Sequence, residues 1–111
     1  IVENVSRNQL PYSSLNEVNY LAFSEISAEY HDELYGYIDE QGWLNEYKIG
    51  KPTRTYIRLN RDGTTKEEQK VLSEYIRHVI HHPENINNVR FTLEELRQSI
   101  EMMRDFISSK I

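Results

Sequence analysis

Thr65-Lys66-Glu67-Glu68-Gln69-Lys70-Val71-Leu72-Ser73-Glu74-Tyr75-Ile76-Arg77-His78-Val79-Ile80-His81-His82-Pro83 opens and closes like a helix. Thr65 followed three residues later by Glu68 is the pattern of a reciprocal cap, which satisfies free N–H groups at a helix start. Val71, Leu72, Tyr75, Ile76, Val79 and Ile80 then recur at helical spacing and predict a buried stripe. Pro83 disfavours a helical residue before it, so the helix is expected to end at about His82. The stretch reads as one helix from Lys66 to about His82.

The same cap pattern stands at Ser14/Glu17 and Thr92/Glu95. A first helical region is expected from about Leu15 to about Gln41. Its apolar face is Val18, Leu21, Ala22 and Ile26, resumed by Leu34 and Ile38 and widened by Tyr20, Phe23, Tyr30 and Tyr37. The polar run Ser27–Glu33 is a place where it could divide, and His31-Asp32-Glu33 reads as a solvated face. A last helix runs from Leu93 to about Ser109, with Leu93, Leu96, Ile100, Met103 and Ile107 as its packing seam. Residues 42–63, punctuated by Gly42, Gly50, Pro52 and Gly63, read as a long connection in which Trp43 is a core anchor or an interface plug. The expected fold is all-α, a small up-and-down bundle that admits a short strand pair or β-hairpin at about 47–60. The expected organisation is an extended segment over 1–13, then one helical domain over 14–111 with a basic connection at about 42–63.

Charge is segregated along the 111 residues, whose formal net is -5. Residues 1–46 hold nine acids against Arg7 alone. The next fifteen residues hold Lys48, Lys51, Arg54, Arg58 and Arg61 with no acid. The net charge argues against nucleic-acid binding over the whole surface. The basic segment is either a solvated loop or a local contact for RNA phosphates or an acidic partner. The chain has no cysteine, which excludes disulfides and thiolate metal sites. It lacks a signal-peptide pattern and any apolar run near the ~20 residues of a membrane span. A cytoplasmic location is expected. The start at Ile1 reads as that of a domain excised from a larger protein.

The chemistry concentrates at Arg77, His78, His81 and His82. A guanidinium stays charged and can hold a phosphate, while an imidazole moves protons near neutral pH. The blander reading gives Arg77 a surface ion pair and uses the histidines to cap helix carbonyls. His78 and His82, four apart, also have a two-ligand metal spacing that His31 or a distant carboxylate would have to complete. We assign no metal and no cofactor.

Arg77-His78-Val79-Ile80-His81-His82, at the end of an amphipathic helix, resembles the Arg-polar-x3-His motif of HEPN domains. These are small all-helical domains whose ribonuclease members cleave RNA without metal. The resemblance implies a homodimer with paired motifs. Arg77 would clamp phosphate, His82 would be the acid/base and His78 the polar second member, where the family commonly has asparagine or aspartate. His81 and Glu74 are accessory candidates. Lys48, Lys51, Arg54, Arg58 and Arg61 are the candidate RNA or partner contacts.

Leu15-Asn16-Glu17-Val18-Asn19-Tyr20-Leu21-Ala22-Phe23, then Glu33-Leu34-Tyr35, then Ile76 through Asn85 resemble the C-terminal region of anticodon-nuclease-type bacterial defence ATPases. That implies an endoribonuclease effector acting on tRNA or another RNA, with an ATPase domain in the same or a partner chain. The chain itself has no Gly-x4-Gly-Lys phosphate loop. The competing expectation is a non-catalytic dimerisation or interaction module that docks to an ATPase or toxin partner.

Overall fold

A computed structural model of the chain describes residues 14–110. The extended segment expected over 1–13 lies outside the described residues. The elements run α1 (Leu15–Phe23), α2 (Ala28–Glu40), α3 (Leu44–Lys48), β1 (Thr53–Leu59), β2 (Thr65–Val71), α4 (Leu72–His81) and α5 (Leu93–Ser108). The chain is therefore mixed α/β, and the all-α up-and-down bundle is overturned.

The overturning element is the stretch that read as a helix start. Thr65–Val71 is a strand, antiparallel to β1 from Thr53↔Val71 to Leu59↔Thr65. The Thr65/Glu68 pattern caps nothing. Glu68 lies across from Tyr56, and both its oxygens accept from Arg58, at 2.9 and 3.0 Å. The physical reason is that Thr65 to Lys70 offers no apolar side chain to a helix face. A strand pairing gives the same backbone a ladder and gives Glu68 a cross-strand partner in Arg58. The strand pair also lies elsewhere than expected: β1 falls within 47–60, but its partner lies beyond it. Gly63, at φ 88, makes the turn between them. The amide of Asn60 donates to the Thr64 carbonyl at 2.8 Å, and Asp62 Oδ1 accepts from the Thr64 amide.

Helix α4 follows β2 without a loop and starts where the apolar periodicity starts, at Val71 and Leu72. The first helical region divides at Ser24, which adopts a left-handed φ of 54, and resumes under a Ser27 cap. Gly42 (φ 77) ends α2 as expected. The one-turn α3 inside the 42–63 connection was not expected. Thr92 and Glu95 make a true reciprocal cap on α5.

The core lies between α2, α4 and α5. It contains Tyr30, Leu34, Tyr35, Ile38, Ile76, Leu96, Ile100, Met103 and Ile107, with Tyr47 of α3. The seam of α5 begins at Leu96, because Leu93 is exposed. Trp43 packs edge-on to Tyr37 and Phe106. A buried hydrogen-bond chain crosses four helices: His31 Nε2 to Ser99 Oγ (2.6 Å), Ser99 Oγ to Ser73 Oγ (2.6 Å), and Ser73 Oγ to the Tyr47 hydroxyl (2.7 Å). His31 is thus fully buried, not part of a solvated face.

Burial, and then the Arg77 charge, lower the pKa of His31 from 6.5 to about 3. The folded ring stays neutral while the unfolded one takes up a proton. His31's contribution is complete above about pH 6.5 and is lost as pH falls, at up to ~1.4 kcal/mol per unit. Urea unfolding at about pH 7.5 and pH 5 is expected to show this slope, and His31→Gln is expected to flatten it. An unchanged slope in a folded variant contradicts the assignment.

Candidate functional site

Four residues of the histidine stretch converge on one surface cleft of ≈ 340 Å³. Its walls are Arg77, His78 and His81 of α4, His82 at its end, Tyr35 and Asp39 of α2, and Leu44 of α3. Helical spacing brings Arg77 and His81, and likewise His78 and His82, onto neighbouring rows. Pro83 ends the helix, leaving His82 in a non-helical conformation (φ -127, ψ 64) with its amide donating to the His78 carbonyl at 3.0 Å.

The Arg77 guanidinium lies over the Tyr35 ring, 4.7 Å from its centroid. Among the described residues Arg77 makes no ion pair. His78 stacks on His82 with ring centroids 5.9 Å apart and leans on Tyr56 at 5.1 Å. Burial lowers the pKa of His78. Lys70 adds to the effect, Glu74 opposes it, and Arg58 and His82 lower it further. His78 is therefore held toward its neutral form. His82 Nδ1 lies 3.2 Å from Glu84 Oε2, and His81 Nε2 lies 2.9 Å from Asp32 Oδ2 on α2.

Glu74 faces Lys48 (3.0 Å) and Lys70 (3.3 Å), with His78 Nε2 at 3.8 Å. Burial raises its pKa, but the two lysines outweigh burial and hold it below the ordinary carboxylate value. It serves as a fixed negative charge more readily than as a proton donor. His31 is buried against Ser99, away from the pairing with His78 and His82 that a metal would need. Among the described residues no three histidines or carboxylates gather as a metal site.

The basic segment disperses. Lys48 meets Glu74, and Lys51 donates to the Tyr47 carbonyl at 2.6 Å. Arg54 reaches Glu95 of α5 at 2.6 Å and lies over Tyr75. Arg58 grips Glu68, whose pKa falls to about 2 chiefly through that contact. Arg58 also shares a small hollow with His82, Glu84 and Asn85, so of the five it comes nearest the histidines. Arg61 is exposed on the hairpin turn with no ion pair among the described residues.

Sequence reasoning missed Tyr35 and Asp39, which sit four apart on α2 and so share a face, a signal hidden among the acids around them. It also missed how the following loop is fixed. Asn88 binds both polar groups of the Ile57 peptide, accepting from N (2.7 Å) and donating to O (3.0 Å). Asn85 donates to the same oxygen at 2.7 Å. These asparagines tie the loop after His82 to the outer edge of β1. The motif thereby gains a flank held to β1 by three side-chain hydrogen bonds.

Compared with known proteins, the chain matches no protein-family model, no curated protein and no solved structure. Among the described residues no helix is long and apolar enough to cross a membrane.

Proposed function

We propose that the chain is an HEPN-type, metal-independent endoribonuclease, the effector domain of a cytoplasmic bacterial defence ATPase system. The observation that supports it is one cleft lined by Arg77, His78 and His82, in which the guanidinium has no carboxylate partner among the described residues. The substrate is tRNA or another RNA. Arg77 holds the scissile phosphate and offsets the charge that grows on its oxygens. A neutral histidine takes the proton of the ribose 2′-hydroxyl. O2′ then bonds to phosphorus, the P–O5′ bond breaks, and a protonated histidine supplies O5′ with a proton. The products are a 2′,3′-cyclic phosphate and a 5′-hydroxyl. The neutral bias of His78 suits it to accept the proton, which leaves His82, on the same cleft wall, as the donor. His81 and Glu74 then shape the cleft through Asp32, Lys48 and Lys70. In this reading two protomers appose their clefts, Arg58 and Arg61 meet RNA, and an ATPase domain in the same or a partner chain controls access.

An RNA with a single 2′-deoxy substitution at the mapped cleavage position tests this chemistry. Cleavage is expected to vanish there and persist elsewhere. Undiminished cleavage at the deoxy position means that water, not O2′, attacks.

A second reading, a non-catalytic module that dimerises or docks to an ATPase or toxin partner, draws support from the loop beyond the motif. Ile86 and Val89 are more than four-fifths exposed there (88% and 83%), with Leu93 beside them in sequence.

A further inference from the structure

We propose that the outward face of α1 is a docking site for a partner helix whose apolar stripe is bordered by lysine or arginine. Leu15, Val18 and Ala22 recur at spacings of three and four and share one face of α1, with Phe23 at its margin. Leu15 and Phe23 are 76% exposed and Val18 46%, whereas Glu17, on the opposite side of the helix, is 1% exposed. The helix is inverted against the ordinary amphipathic rule, with its carboxylate inside and its apolar stripe outside.

The inversion is locked. The Tyr30 hydroxyl donates to Glu17 Oε2 at 2.7 Å, and Arg104 Nη1 donates to that hydroxyl at 2.7 Å. Arg104 also lies over Tyr20 of α1. Rolling α1 to bury Leu15 and Val18 would pull Glu17 out and strand a buried guanidinium. The stripe therefore stays presented, in the form that helix-in-groove and helix-on-helix recognition use.

Charge selects the partner. Two of the acids in this part of the chain border the stripe: Glu33 accepts from Ser14 Oγ at the start of α1 (2.9 Å), Glu25 follows Phe23 by two residues, and neither joins an ion pair among the described residues, while Ser14 to Tyr47 contains no lysine or arginine. The arginines of α5 that act on Tyr20 are engaged: Arg104 with Glu17 and Tyr30, Arg97 with Glu94 and Glu101. A second copy would set this acidic surface against itself, whereas a basic-bordered helix meets opposite charge. The site is independent of whether the cleft cleaves RNA.

Two synthetic amphipathic peptides with the same leucine stripe, one bordered by lysine and one by glutamate, test it by fluorescence anisotropy with the full chain. The lysine-bordered peptide is expected to bind at least about tenfold more tightly, with the advantage shrinking as salt rises. Leu15→Ser/Phe23→Ser is expected to lose that binding and keep the parental circular dichroism and urea midpoint. Equal binding of the two peptides, or none to the folded parent, overturns the proposal. So does a parental dimer that the double variant dissolves, because a second copy is then the occupant. Binding that appears only after deletion of residues 1–13 also overturns it, making that segment the occupant.

Discussion

Glu17→Ala is expected to destabilise the fold by about 3–5 kcal/mol, the usual cost of removing one member of a buried ion pair. Arg104 is 8% exposed and Glu17 1%, so water cannot replace the lost carboxylate at the guanidinium. Tyr30 loses its acceptor in the same change, and burial already pushes that phenol's pKa up. A domain of this size has only about 5–15 kcal/mol of stability in total, so the variant should unfold at much lower urea. Glu17→Met with Arg104→Met should recover much of the loss, because replacing both charges by apolar groups removes the stranded one. A Glu17→Ala midpoint close to the parent's contradicts the lock and weakens the case that it sets the rotation of α1.

Arg77→Ala is expected to lower RNA cleavage by roughly 10²–10³-fold while leaving the fold intact. Its guanidinium rests on the Tyr35 ring and joins no ion pair among the described residues, so its removal leaves no buried charge. Arg77→Lys keeps the charge without the planar, two-pronged donor set, and should recover only part of the rate. Single-turnover cleavage beside urea unfolding separates the two effects. Equal losses of rate and of stability would make Arg77 a structural residue.

The same stretch holds what was legible and what was not. From Val71 onward the apolar spacing is strong, and α4 lies where that spacing placed it, one residue short of His82. From Thr65 to Lys70 only the cap pattern argued for helix, and a four-residue pattern carries no information about a partner 6 to 18 residues upstream in the ladder. A polar strand paired to a hairpin neighbour lacks the alternation that reveals strands, because its two faces are both largely wet. Thr92/Glu95 succeeded as a cap because an apolar seam follows it. Ser14/Glu17 half succeeded: Ser14 Oγ accepts from the Glu17 amide, but the Glu17 side chain turns inward to Tyr30.

At the cleft, the convergence of Arg77, His78, His81 and His82 follows from helical spacing and was legible. The contributions of Tyr35 and Asp39 depend on how α2 packs against α4, which spacing within one element cannot report. The basic segment misled for a related reason. Its density is evident in sequence, but Lys48, Arg54 and Arg58 find Glu74, Glu95 and Glu68 only once the hairpin folds.

The most direct test of the ribonuclease reading is to incubate the purified chain with total tRNA in EDTA and analyse the RNA ends. Discrete cleavage leaving 2′,3′-cyclic phosphate and 5′-hydroxyl ends is expected, as is its loss in Arg77→Ala and His82→Ala. Intact tRNA after incubation with a folded dimer, or cleavage that both variants retain, would contradict it.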